Sequence, residues 1–86
     1  MASVISGKMV SPAQISLLQR MALEDVVLKH VEGRWWSVKG EEIVGKEHPG
    51  TVEALYSRGL VFEAPQNGTT VLHTTQQVCR ELRERT

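Results

Sequence analysis

The chain has 86 residues, 41% of them apolar, ten basic and ten acidic side chains, and a single cysteine, Cys79. This length supports one domain with a thin core, one cysteine excludes an intrachain disulfide, and no apolar run approaches the ~20 residues needed to span a bilayer. Equal numbers of opposite charges deprive the chain as a whole of the phosphate attraction behind most nucleic-acid binding.

No basic block stands out along the chain, although local patches stay open: the formal charge is +1 over residues 1–24, −1 over 25–47 and 0 over 48–86. Three prolines and seven glycines do not make a low-complexity chain. An unpaired cysteine suits a reducing compartment, so the cytoplasm is the expected location. The opening MASVISGKMV has neither the basic start nor the continuous apolar stretch of a signal peptide. Residues 1–10 are expected as a loose or weakly paired segment ahead of a domain over 11–86.

Ser11-Pro12-Ala13-Gln14 is a helix start. The Ser11 hydroxyl can accept from the Gln14 amide, and the Gln14 side chain can reach back to the Ser11 amide. Pro12 occupies the first helical position, where its missing donor costs nothing. Ile15, Leu17, Leu18, Met21 and Ala22 then form one apolar stripe, so a helix is expected over 12–23 with Gln19 and Arg20 on its wet side. VVLKHVEGRWWSV follows, rich in β-branched and aromatic residues, with Glu32-Gly33 as a turn. It predicts a hairpin of 26–31 with 34–38. A two-residue loop sets His30 opposite Trp35 and Lys29 opposite Trp36, although glutamate suits the first position of such a loop poorly and leaves a longer one open. Neighbouring strand residues face opposite ways, so Trp35 and Trp36 cannot enter one core together. The segment 39–47, KGEEIVGKE, offers only Ile43 and Val44 as apolar residues and is expected to hold about one helical turn.

His48-Pro49-Gly50 breaks the chain, and a helix is expected over 50–58. Val52, Leu55 and Tyr56 fall on one face and are expected in the core. Gly59 suits the left-handed position after a helix end, with Leu60 placed to touch Leu55 across the stop. A strand over 60–64, a turn at Pro65-Gln66-Asn67-Gly68 and a returning strand over 69–73 follow. Thr74 and Gln77 then suggest a second capping box, opening a last helix over about 75–85 that carries Val78, Cys79 and Leu82 on its apolar side.

Three stretches, SPAQISLLQRMAL, TVEALYSRGLV and the hairpin running into HTTQQVCREL, resemble the small winged-helix proteins of bacteria and their phages. Multiple-antibiotic-resistance-type regulators are the best-known bearers of this pattern. The resemblance covers most of residues 11–83 and implies an α+β, winged-helix-like fold: three main helices, a β-hairpin wing and, here, an additional Trp-containing hairpin. His73 and Gln77 depart from the pattern, and 39–47 is short for a second helix. The resemblance also implies a DNA-binding, transcription-regulatory role. The helix 50–58 would enter the major groove, with Thr51, Glu53, Ala54, Ser57 and Arg58 outward and Gln66 and Asn67 at the wing tip.

The residues themselves leave a second class open, a protein-interaction module on the same scaffold, with Trp35 or Trp36 as anchor. Arg58 is the one basic residue on the outward helix face, and the wing tip has none. The interleaved Lys29-His30 and Arg34-Trp35-Trp36 could also stack single-stranded bases, but Glu32, Glu41 and Glu42 flank them. His30, His48 and His73 lack metal-ligand spacing, and no catalytic constellation occurs, so neither an enzyme nor a metal or cofactor is expected. The expected partners are duplex DNA or a protein chain, a second copy included, and no membrane.

Overall fold

A computed structural model of the chain describes residues 3–85. The fold is α+β, with three helices against one side of a five-stranded antiparallel sheet. A small hairpin comes first: β1 (Ser3–Ile5) and β2 (Lys8–Val10). Helix α1 (Pro12–Leu23) leads into a three-stranded meander, β3 (Val26–Val31), β4 (Arg34–Lys39) and β5 (Glu42–Glu47). Helix α2 (Pro49–Ser57), the hairpin β6 (Val61–Gln66) and β7 (Thr69–Thr74), and helix α3 (Gln76–Glu84) complete the chain. The strand order is β5-β4-β3-β7-β6, so β7 returns to pair with β3 at the centre.

Local chemistry explains the helix ends. At α1 both halves of the capping box form: the Gln14 amide donates to Ser11 Oγ at 3.2 Å, and the Ser11 amide donates to Gln14 Oε1 at 3.0 Å. Pro49 opens α2, one residue earlier than expected, behind His48, whose Nδ1 accepts from the Gly50 amide. The stop of α2 is a Schellman motif. The Leu60 amide donates to the Leu55 carbonyl, the Gly59 amide donates to the Tyr56 carbonyl, and Leu55 and Leu60 are both buried in the core. Gly59 stands at φ +70° with open space around it, so a side chain there would meet backbone strain and no clash. Gly59→Ala is expected to cost about 1–2 kcal/mol. In a domain of this size each kcal/mol lowers the melting midpoint by about 4–8 °C, which thermal unfolding followed by circular dichroism measures.

The core lies between the helices and one sheet face. It joins Leu17, Leu18, Met21 and Ala22 of α1 with Val52 and Leu55 of α2 and Val78 and Leu82 of α3. Val26 and Leu28 of β3, Val61 of β6 and Leu72 of β7 form the sheet's side of it. Of the loose or weakly paired alternatives expected for residues 1–10, residues 3–10 are paired, in a hairpin that sinks Ile5 and Val10 into this core; Met1 and Ala2 lie outside the described residues. Residues 42–47 are a strand where a helical turn was expected, because β4 supplies a ladder that the short, Gly45-interrupted run could not replace with helical bonds. Consequently three strands separate α1 from α2. At Gly45 a β-carbon would lie 2.9 Å from Ser37 Oγ, so glycine permits β5 to close on β4 beside a register shift at Ser37/Val38.

The hairpin expected over 26–31 with 34–38 forms, and two other expectations change. Glu32 and Gly33 form the two-residue loop after all, at φ +54° and +74°, and the register sets His30 opposite Trp35 and Lys29 opposite Trp36. The cap of α3 is Thr75, accepting from the Val78 amide, because β7 keeps Thr74 in its ladder opposite Val61. Arg20 is only half-exposed where a wet face was expected, because its guanidinium grips Glu47 of β5 at 2.9 and 3.0 Å.

Candidate functional site

Two surfaces gather side chains that the core does not use. The first is the sheet face turned away from the helices. All three helices pack on each other or on the opposite face, leaving this one without a covering element. Strand alternation sends Val27 and Val31 of β3 to it, with Trp36 and Val38 of β4, Ile43 of β5, Val71 of β7 and Phe62 of β6. Cross-strand register sets Lys46, Trp36, Lys29, Val71 and Ala64 in one row. Val71 is fully buried and Val38 nearly so, yet neither belongs to the main core cluster; their neighbours on the open face shield them. Lysine stems are suited to this, lying along apolar surface with the charge in water. A shallow cavity of about 410 Å³ runs over this face, lined by Lys29, Val31, Glu32, Trp36, Val38, Glu41 and Ile43. At the far edge the Phe62 and His73 rings stack, centroids 5.5 Å apart.

The second surface is a trough of about 470 Å³ between α2 and the sheet. His30, Trp35, Val52, Glu53, Tyr56, Ser57, Glu63, Thr70 and Leu72 line it. Val52 and Leu72 are buried and make an apolar floor. His30 and Trp35 face each other across β3 and β4, ring centroids 4.7 Å apart and tilted by 39°. Tyr56 was expected in the core with Val52 and Leu55. It is 51% exposed instead, because one helical step of about 100° past Leu55 carries it out of the core stripe, and its hydroxyl finds Glu63 Oε1 at 3.3 Å. Glu53 and Glu63 make no ion pair among the described residues.

The outward residues expected on α2 take different positions around the trough. Glu53 and Ser57 turn into the trough, whereas Thr51 and Ala54 are half-buried outside it. Arg58 folds back, donating to the Ala54 carbonyl at 3.4 Å, while its own carbonyl accepts from Lys8 Nζ at 2.6 Å. Gln66 and Asn67 are exposed at the β6–β7 turn, outside the trough. The two tryptophans divide between the surfaces: Trp35 packs against the core and lines the trough, and Trp36 lies on the open face with its indole N–H donating to the Val31 carbonyl at 3.3 Å. Sequence reasoning passed over His30, Tyr56, Glu63 and Thr70 as one group. Alternation could have placed His30 on the same face as Leu28, but only the β3–β7 pairing brings Thr70 beside it.

A third polar feature is structural. The Arg20 guanidinium beside Glu47 holds that carboxyl below the usual carboxylate range, against the opposing effect of burial. The Ser37 hydroxyl, buried and without a partner of standard hydrogen-bond geometry, stands on the same side and adds to the lowering. The same contact pushes Arg20 upward. Cys79 is half-buried against the core, its Sγ 3.8 Å from the Ala22 carbonyl. Among the described residues no group of three His, Cys, Asp or Glu side chains is arranged to hold a metal ion, and no helix is long and apolar enough to cross a membrane. Comparison with protein-family models, curated proteins and solved structures finds no match to this chain.

Proposed function

We propose that this chain is a protein-interaction module on a winged-helix-like scaffold, that its working surface is the open sheet face centred on Trp36, and that its first partner is a second copy of itself. The observation that carries this reading is the uncovered apolar face itself. Ile43 is 61% exposed and Phe62 47% exposed, and they stand at opposite edges of a sheet whose intervening strands add Trp36, Val31 and Val27 to the same side. Apolar side chains gathered on an uncovered face mark an interaction site. Aliphatic side chains outnumber aromatic ones on it, which suits a protein partner better than stacked bases. Its charges are of both signs, with Lys29 and Lys46 flanking Trp36 and Glu32 and Glu41 at the adjoining turns. A two-fold pairing can bring the lysines of one copy to the glutamates of the other, as a self-complementary interface requires.

The order α2, β6, β7, α3 is the helix, hairpin, helix order of the winged-helix resemblance and supports that scaffold. It equally supports duplex DNA as ligand, read by Thr51, Glu53, Ala54, Ser57 and Arg58 with Gln66 and Asn67 at the wing tip. Charge weighs against that reading, since α2 carries Glu53 into the same trough as Glu63 and uses its one arginine to bond its own backbone.

Sedimentation velocity over about 10 µM to 1 mM tests the proposal, a range that resolves association free energies of about −4 to −7 kcal/mol, the scale of weak dimers. Wild-type protein is expected to shift from monomer to dimer. Ile43→Lys is expected to stay monomeric with its unfolding free energy within about 0.5 kcal/mol of wild type, because the side chain is exposed. A wild-type chain that is monomeric throughout overturns the proposal. Titration with mixed duplex DNA in a salt series decides the other reading: binding whose logarithm falls linearly with that of salt concentration would establish it.

A further inference from the structure

The trough beside α2 has a composition that selects its occupant. It is lined by two carboxylates and three rings and by no lysine or arginine. We propose that it is a binding site for a guanidinium group, delivered as the arginine side chain of a partner polypeptide. This site is separate from the open sheet face, and the inference stands whether or not the chain pairs with itself.

The recognition follows from the walls. Glu53 projects from α2 and Glu63 from β6, so carboxylates stand on both sides of the trough. Neither is neutralised by an ion pair among the described residues. The Tyr56 hydroxyl donates to Glu63 Oε1, which steadies that carboxylate and leaves its second oxygen available. Trp35 and His30 line it side by side, and an aromatic face attracts a cation through its quadrupole. A guanidinium is flat, stacks on such rings and offers donors in a fixed fork to carboxylates on either side; an ammonium presents a hydrated point charge instead. The apolar floor of Val52 and Leu72 matches the methylene stem of arginine. The volume of about 470 Å³ lies in the range of side-chain and small-ligand pockets. Because the trough is open along the surface, its guest can enter as part of a longer chain.

The test is an amide-shift titration of the full chain with a capped Gly-Arg-Gly peptide. Matched Gly-Lys-Gly and Gly-citrulline-Gly peptides are run in parallel, citrulline keeping the shape of arginine without its charge. The expected result is saturable binding at about millimolar concentration. Shifts should centre on His30, Trp35, Tyr56, Ser57 and Glu63, and the lysine peptide should bind about fivefold more weakly. Glu53→Gln and Glu63→Gln, both exposed positions whose spectra will report an intact fold, should each weaken arginine binding about fivefold. Citrulline binding as tight as arginine, shifts scattered over the surface, or no response at about 10 mM peptide would each overturn the assignment.

Discussion

Replacing Leu28 by alanine is expected to lower the unfolding free energy by about 2–5 kcal/mol, the range for removing a fully buried leucine side chain from a core. Leu28 is completely buried on β3, the central strand, opposite Ser37 of β4 and Leu72 of β7. Its side chain meets the helix layer where α1 crosses β3 and β7. Truncation leaves a cavity in a sheet held by ladders on both sides, where neighbouring backbone has little freedom to collapse inward. A domain of 86 residues holds ~4–13 kcal/mol in total at ~0.05–0.15 per residue, so this one change removes a large share. Urea unfolding monitored by tryptophan fluorescence is the measurement. A loss under ~1 kcal/mol would mean that the site closes over the missing atoms and that the helix-facing side of the sheet is not the principal core. Ile43→Ala, on the open face, is the contrasting substitution, with a change within about 0.5 kcal/mol.

The contrast between these two residues also separates what sequence reveals from what it hides. Signals completed within a few residues were legible. Ser11, Pro12 and Gln14 specify the start of α1 among themselves, and Leu55, Gly59 and Leu60 specify the stop of α2. The β3–β4 register followed once the loop was known to have two residues, and glutamate at positive φ is the local strain that made the loop hard to assign. Signals completed across the chain were not legible. Ile5 and Val10 belong to three-residue strands too short to announce themselves, and only core contacts with distant helices reveal their role. β5 buries little, with Ile43 and Val44 both exposed, so its pattern carried no strand signature.

The trough was hidden for the same reason. His30 and Trp35 come from the meander, Glu53 and Tyr56 from α2, and Glu63 and Thr70 from the second hairpin. They meet only because β7 inserts beside β3 and places β6 under the helix. Periodicity located Val52 and Leu55 correctly but extended their stripe to Tyr56, whose hydroxyl required a polar partner that no local pattern could supply. The two surfaces follow from one economy of construction: with all three helices on one side, the thin core leaves a complete sheet face uncovered, and α2 roofs only part of the side it occupies.

The bidentate pair of Arg20 and Glu47 gives an expected pH dependence. Arg20 of α1 and Glu47 of β5 form a two-bond pair, with Glu47 only 11% exposed at its side chain and Arg20 39%. Since Ile43 and Val44 contribute little burial, this pair is a main attachment of the edge strand to the helix layer. Arg20→Ala strands a mostly buried carboxylate. Loss of a partner from a fully buried pair costs about 3–5 kcal/mol, and partial exposure of Arg20 reduces the expectation to about 1–2 kcal/mol at pH 7. The Glu47 carboxyl is held below its unfolded value by Arg20. A depressed pKa contributes stability that is present above the unfolded value, about 4.3, and disappears as pH falls through the lower folded value. Wild type and Arg20→Ala should therefore differ most near neutrality and converge in acid, the wild type losing the pair as Glu47 protonates. Urea unfolding at a series of pH values from about 7 to 3 measures this gap. Trp35, directly opposite Glu47 in the ladder, serves as the fluorescent reporter. A gap that stays constant across the series would show that Arg20 acts through packing of its methylene stem, and that the charge pair does not hold β5 in place.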